Sequence, residues 1–215
     1  MNNQLMSSFI FKTPFTCMFA GPTQSGKTTL LIEILKNLEY LVDKPIDRII
    51  YCYSRNQPAL NNLSNVEFHE GLPNIDEFNP ILNNLIILDD LMDVCEKDKS
   101  IKELFTVDSH HKNISIILLN QNLFSQGKNA RTISLNCHYL LIFNNPRDRF
   151  QIQFLARQMY PTNPNFLIEC YEDATKKEYG YLLIDLTQTT NNKLRVLTDI
   201  LPNQQRVYYI PKNLV

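Results

Sequence analysis

Tryptophan is absent from this 215-residue chain, glycine occurs only five times, and neither sign of charge predominates. Lys and Arg number 21 against 22 Asp and Glu, a formal charge of −1. That balance excludes a polybasic nucleic-acid binder and an acidic tail, so any contact with DNA or RNA must come from a local patch or from repetition in an oligomer. Long apolar runs are missing too. Runs such as Leu85–Leu88 and Ile114–Leu119 are far short of the roughly 18 residues of a membrane span. Lys12 and Pro14 interrupt Phe9–Phe19, which removes any signal-peptide core. Cys17, Cys52, Cys95, Cys137 and Cys170 are scattered, with no C-x-x-C and an odd total. Such usage fits reduced core thiols, and with the other absences it predicts a soluble protein of the cytosol or nucleus.

What is present is ordinary for a folded domain: 44% apolar and 20% charged residues. A chain of this length buries about 70% of its unfolded surface, enough for a core without covalent staples. A single domain over 1–215 is expected, with a core of about 9–190 and a C-terminal extension over 191–215. The 24 asparagines reflect base composition of the genome and carry no mechanism. Scarce glycine makes each one informative, and Gly21 and Gly26 lie five positions apart in one loop.

Along the chain, apolar β-prone runs alternate with helical spacings. Phe15–Ala20, Asp47–Tyr53, Leu85–Leu88, Ile114–Leu119, Tyr139–Phe143 and Tyr181–Leu186 read as strands, with a short one near Val66–Phe68. Thr29–Leu38, Lys99–Phe105, Asp148–Met159 and Asn165–Ala174 read as helices, Asp148 as an N-cap. A turn and brief helix are expected over Pro73–Leu82, and strand or coil after Asn191. The alternation predicts an α/β fold with a mostly parallel central sheet and helices on both faces.

Between the first strand and the first helix stands Gly21-Pro22-Thr23-Gln24-Ser25-Gly26-Lys27-Thr28, a full match to G-x-x-x-x-G-K-[ST]. Glycines let backbone N–H groups turn inward around a phosphate, and the helix N-terminus adds a fixed positive field. Gly21 through Thr29 are thus the expected nucleotide-binding residues, Lys27 neutralising the β/γ-phosphates and the Thr28 hydroxyl ligating Mg²⁺. A glycine turn that binds nothing is the alternative, and the strand–loop–helix context argues against it. Some sixty residues on, Leu85-Ile86-Ile87-Leu88-Asp89-Asp90 is a Walker B strand. It places Asp89 near Mg²⁺, through water, and Asp90 where the attacking water would be oriented or deprotonated. Gln121, after the strand Ile114–Leu119, is the expected polar sensor of the γ-phosphate; a solvated turn residue is its plainer reading.

With these elements in view, the sequence resembles the DNA-packaging ATPases of the FtsK/HerA superfamily, in the form found in Polinton/Maverick elements, adintoviruses and related double-stranded DNA viruses. The likeness runs from Pro14 to about Leu186. It includes Asp89-Asp90-Leu91-Met92, Leu104 to His111, Asn120-Gln121-Asn122-Leu123-Phe124, Arg131 to Asn136, Phe143 to Asp148 and Tyr179 to Asp185. The resemblance implies a RecA-like P-loop NTPase core of the ASCE division. It also implies a homo-oligomeric ring, ATP- and Mg²⁺-driven translocation of double-stranded DNA into a viral capsid, and the capsid or portal vertex as partner. The place of action would be the host nucleus or viral assembly site, including the virion vertex. Asp90 stands where many relatives have Glu, one methylene longer.

An oligomeric ATPase needs a positive charge from a neighbour in its transition state. Arg131 is the first candidate, followed by Arg147 and Arg149. Lys97, Lys99, Lys102, Lys112 and Lys128 are candidates for phosphate contacts in a pore, with a solvated face as the alternative. His110-His111 lacks further ligands at zinc spacing. Three rival functions remain. A nucleotide kinase would want an arginine-rich lid, which is missing. A helicase shares the core, and a nucleotide-gated assembly factor would bind ATP without turnover.

Overall fold

The computed structural model describes residues 9–54, 63, 65–91, 104–105, 112–124 and 128–211, with the backbone alone at 128–130. Nine strands among them form one sheet: β1 (Thr16–Ala20), β2 (Arg48–Tyr53), β3 (Glu67–Glu70), β4 (Asn84–Asp89), β5 (Ile114–Asn120), β6 (Tyr139–Phe143), β7 (Tyr181–Asp185), β8 (Val196–Thr198) and β9 (Val207–Tyr209). Their order is β3-β2-β4-β5-β1-β6-β7-β8-β9. The pairings from β3 to β6 are parallel; those from β6 to β9 are antiparallel. Strands β1, β4, β5, β6 and β7 are buried along their whole length, which is why each reads as a predominantly apolar run.

The pleat sorts side chains between two cores. Met18 and Ala20, with Ile86, Leu88, Ile116 and Leu118, face a core closed by three helices. These are α3 (Lys128–Leu135), α4 (Phe150–Met159) and α5 (Pro164–Ala174). Cys17 and Phe19, with Leu85, Ile87, Ile117 and Leu119, face the opposite core, closed by α1 (Lys27–Lys36) and the single turn α2 (Leu38–Leu41). Both faces are covered, as expected.

Several expectations shift. The strand or coil expected after Asn191 is in part strand: β8 and β9 extend the sheet, and Leu197 and Ile200 are fully buried in the core. Over Pro73–Leu82 the helix is a 3₁₀ turn, Ile75–Glu77. Arg149, not Asp148, is the N-cap residue of α4, although Asp148 Oδ1 still accepts the Phe150 N–H at 3.1 Å. Helix α3 has no counterpart in the sequence reading. Cys17, Cys52, Cys137 and Cys170 are buried. Cys95 and all but Leu104 and Phe105 of the helix expected over Lys99–Phe105 lie outside the described residues.

Because β1, β2, β4, β5 and β6 are parallel, their C-terminal ends share one edge. Ala20 registers with Asn120 and Ile142, and Asp89 with Leu119 and Tyr53. Strand β7 runs the other way, so its first residue, Tyr181, pairs with Phe143. The loop from α5 into β7 therefore reaches the same edge.

Candidate nucleotide site

The loop Gly21–Gly26 leaves β1 at that edge. Its first N–H, on Gly21, donates to the Asn120 carbonyl at 3.2 Å, tying it to β5. Gln24 (φ 65°) and Gly26 (φ 100°) are both left-handed, the alternation that turns successive N–H groups into one concavity. A Cβ on Gly21 would lie 2.7 Å from Phe143 Cβ, so only glycine lets the loop start so close to β6. Helix α1 then begins with no side-chain cap. Its first helical bond is from Leu30 N–H to the Gly26 carbonyl, at 2.9 Å. The uncapped N-terminus presents the positive end of the helix dipole to the loop.

Lys27 Nζ curls back to donate to the Gly21 and Pro22 carbonyls, at 2.5 and 2.8 Å. Burial lowers its pKa, against the opposing pull of Asp89 and Asp90. Asp89, on the face covered by α1, is 7% exposed. Its pKa is raised, chiefly by burial, with Asp90 adding to the rise and Tyr51 and Lys27 opposing it. For both groups burial outweighs their mutual attraction. Tyr51, on β2, donates its hydroxyl to Asp89 Oδ2 at 2.5 Å, and burial pushes the phenol pKa up. Sequence reasoning missed Tyr51.

Asp90 follows the strand at φ 54°, a left-handed conformation that Asp tolerates better than most residues. Gln121 Nε2 donates to Asp90 Oδ1 at 3.3 Å. Asp90, expected at the attacking water, and Gln121, the expected γ-phosphate sensor, thus form one pair. Strand β5 lies between the P-loop strand β1 and β4, which brings the end of β5 beside both. Behind it, Gln151 Oε1 accepts the Leu123 N–H at 2.6 Å, while its Nε2 donates to Asp148 Oδ2 at 2.7 Å and to Asn122 Oδ1 at 3.2 Å. One side chain on α4 so locks the Gln121 loop to the loop after β6.

The arginines separate. Arg149 is paired with Glu172 at 2.7 Å. Arg147 is exposed on the loop after β6, beside Asn144 and Pro146, which line a cleft of about 770 Å³ against the P-loop. Arg131 is exposed on α3. Lys112, at the start of β5, is at the edge away from the P-loop, with Asp76 at 2.8 Å. It does not belong with the site-edge lysines. Lys97, Lys99, Lys102, His110 and His111 lie outside the described residues, as does the Lys128 side chain.

Comparison with solved structures follows this geometry. The DNA-packaging ATPase B204 from Sulfolobus Turreted Icosahedral Virus aligns with a TM-score of 0.54 at 13% identity, over 94% of this chain and 100% of that one. The genome packaging NTPase B204 from Sulfolobus turreted icosahedral virus 2 is similar in two complexes. With AMPPCP the TM-score is 0.54 at 15% identity, over 82% of this chain and 94% of that one. With ATP-gammaS it is 0.53 at 15% identity, over 82% and 95%. The fold is RecA-like P-loop. No family model and no curated protein matches the chain. In this fold the P-loop strand, the Asp89 strand and the intervening Gln121 strand deliver their loops to one place, which is the arrangement described above.

Among the described residues no helix is long and apolar enough to cross a membrane, and no three His, Cys, Asp or Glu side chains cluster as a metal cage. A hydroxyl on Thr28 and a buried carboxylate on Asp89 are hard oxygen donors. Such a donor pair, together with phosphate oxygens and water, would suit Mg²⁺ better than a metal needing a full protein cage.

Proposed function

We propose that this chain is an Mg²⁺-dependent ATPase, the subunit of a homo-oligomeric ring that moves double-stranded DNA into a viral capsid. The observation that carries the reading is the Asp90–Gln121 pair at 3.3 Å, standing beside a complete P-loop on a strand inserted between β1 and β4. A phosphate-binding loop alone supports a switch or a kinase; a carboxylate held by a neutral amide donor supports activation of water. The packaging assignment draws on the resemblance to FtsK/HerA-type viral ATPases. It also draws on the length match with two genome-packaging NTPases. Action at a viral assembly site, in the nucleus or at the virion vertex, belongs to the same reading.

In this mechanism the P-loop N–H groups and Lys27 hold the β- and γ-phosphates. Lys27 leaves the Gly21 and Pro22 carbonyls to do so. Thr28 and Asp89 would hold Mg²⁺, which would supply neutralisation of the phosphate charge. Asp90 accepts the proton of the attacking water while Gln121 fixes that water's direction. A neighbour's arginine, Arg131 or the exposed Arg147, completes the charge around the γ-phosphate.

Tyr51→Phe tests the metal side. Removing the hydroxyl that fixes Asp89 should raise the Mg²⁺ concentration for half-maximal hydrolysis by about tenfold, the low end for an outer-sphere partner, with little change at saturating Mg²⁺. An unchanged Mg²⁺ titration would remove Asp89 from the metal site.

The deciding experiment measures ATP hydrolysis with and without linear double-stranded DNA, across protein concentration, with Arg131→Ala and Arg147→Ala alongside. Turnover is expected to rise with both DNA and protein, and to collapse in one arginine variant. Turnover indifferent to DNA and strictly proportional to protein would overturn the motor reading.

A further inference from the structure

The hydrolytic groups occupy one flank of the P-loop. The 770 Å³ cleft opens on the other, lined by the P-loop, by Asn144 and Pro146, and by the α5–β7 loop from Thr175 to Gly180; Asp89, Asp90 and Gln121 do not line it. A nucleoside triphosphate is a linear ligand. With its γ-phosphate beside Asp90 and Gln121, its nucleoside end must leave the P-loop toward this cleft.

Within the cleft, Tyr179 projects beside the P-loop. A Cβ built on Gly26 would meet Tyr179 Cβ at 2.8 Å and Cδ1 at 3.0 Å, so the ring base rests directly on the loop's second glycine. Tyr179 is nonetheless 56% exposed, and its φ of 58° is left-handed. A bulky residue rarely adopts that conformation, and the cost persists only where surroundings enforce it. Here they do. Gly180 N–H donates to the Lys177 carbonyl at 3.0 Å, a Cβ on Gly180 would lie 2.3 Å from the Ala174 carbonyl oxygen, and Lys177 is ion-paired with Asp199. The loop is thus pinned on both sides of the tyrosine, and an apolar ring is held open to solvent next to a phosphate loop.

We propose that the Tyr179 ring is the stacking platform for the planar base of the bound nucleoside triphosphate. The proposal deepens the ATPase reading and rests on it for the phosphate end. Stacking on an aromatic face is strong and tolerant of base identity, so Tyr179 sets affinity for a nucleotide over a bare polyphosphate.

The test is calorimetric titration of the full chain with ATP and, separately, with inorganic tripolyphosphate. It compares wild type, Tyr179→Phe, Tyr179→Leu and Lys27→Ala. Leucine keeps the bulk against Gly26 and removes the π-face; phenylalanine keeps both. Tyr179→Leu is expected to weaken ATP binding about tenfold, with tripolyphosphate affinity unchanged and Tyr179→Phe behaving as wild type. Equal weakening of both ligands in Tyr179→Leu, or unchanged ATP binding, would overturn the stacking role. Unchanged tripolyphosphate binding in Lys27→Ala would instead overturn the P-loop reading beneath it.

Discussion

Asp90→Asn is expected to leave ATP bound at close to wild-type affinity while turnover falls by a factor of about 10²–10⁴, the range for removing a general base. The substitution is nearly isosteric, and Asn accepts a left-handed backbone as readily as Asp, so the φ of 54° adds no strain. Its side-chain oxygen can still receive the Gln121 amide, now 3.3 Å from Asp90 Oδ1. What disappears is the capacity to take a proton. Because the two residues act on one water, Gln121→Ala added to Asp90→Asn should cost little beyond the single variant, the non-additivity of groups working as a unit. Equilibrium ATP binding and single-turnover hydrolysis separate the outcomes. A loss of binding as deep as that of Lys27→Ala would place Asp90 on the metal or phosphate instead.

How much of this was legible in the sequence follows from where the information resides. Strands β1, β4, β5, β6 and β7 are buried on both faces, so burial alone forces predominantly apolar runs that stand out. The P-loop was legible because its chemistry dictates residue types at fixed spacing. Helix α3 was not: it carries only two large apolar side chains, and of these Ile133 is fully buried while Leu135 is 63% exposed. Strands β8 and β9, three residues each, are too short to show a period and gain their identity from pairing, β8 with β7 and β9 with β8. Tyr51 was invisible for a different reason. Its bond to Asp89 joins residues 38 apart and exists only through the β2–β4 register, a tertiary fact. Arg149 and Lys112 each looked available as free cations until Glu172 and Asp76 were brought to them. Asp148 missed the cap position by one residue, the ordinary uncertainty of a helix boundary. Gln121 lies at the other extreme, since the alternation of strands made its loop's arrival beside Asp90 deducible once β5 was placed between β1 and β4.

Lys27→Ala should reduce turnover by about a thousandfold and weaken ATP binding as well, a double loss that distinguishes it from Asp90→Asn. Two unit charges 4 Å apart at an effective dielectric of 20 attract by about 4 kcal/mol, and each 1.4 kcal/mol is a factor of ten. Burial sharpens this dependence. The ammonium has a pKa lowered by its surroundings, so it is already held where water screens it poorly, and polyphosphate is the partner able to repay that placement. The backbone should survive the change, because the bonds from Lys27 Nζ end on the Gly21 and Pro22 carbonyls and the loop keeps its tie from Gly21 N–H to Asn120. An unaltered melting temperature alongside lost activity would therefore assign the effect to charge. Lys27→Arg should fail nearly as badly: the planar guanidinium is larger than the ammonium and cannot reproduce a compact point charge in the space the two carbonyls leave. Wild-type-like turnover in either variant would remove Lys27 from the phosphates and, with it, the reading of the loop as a nucleotide cradle.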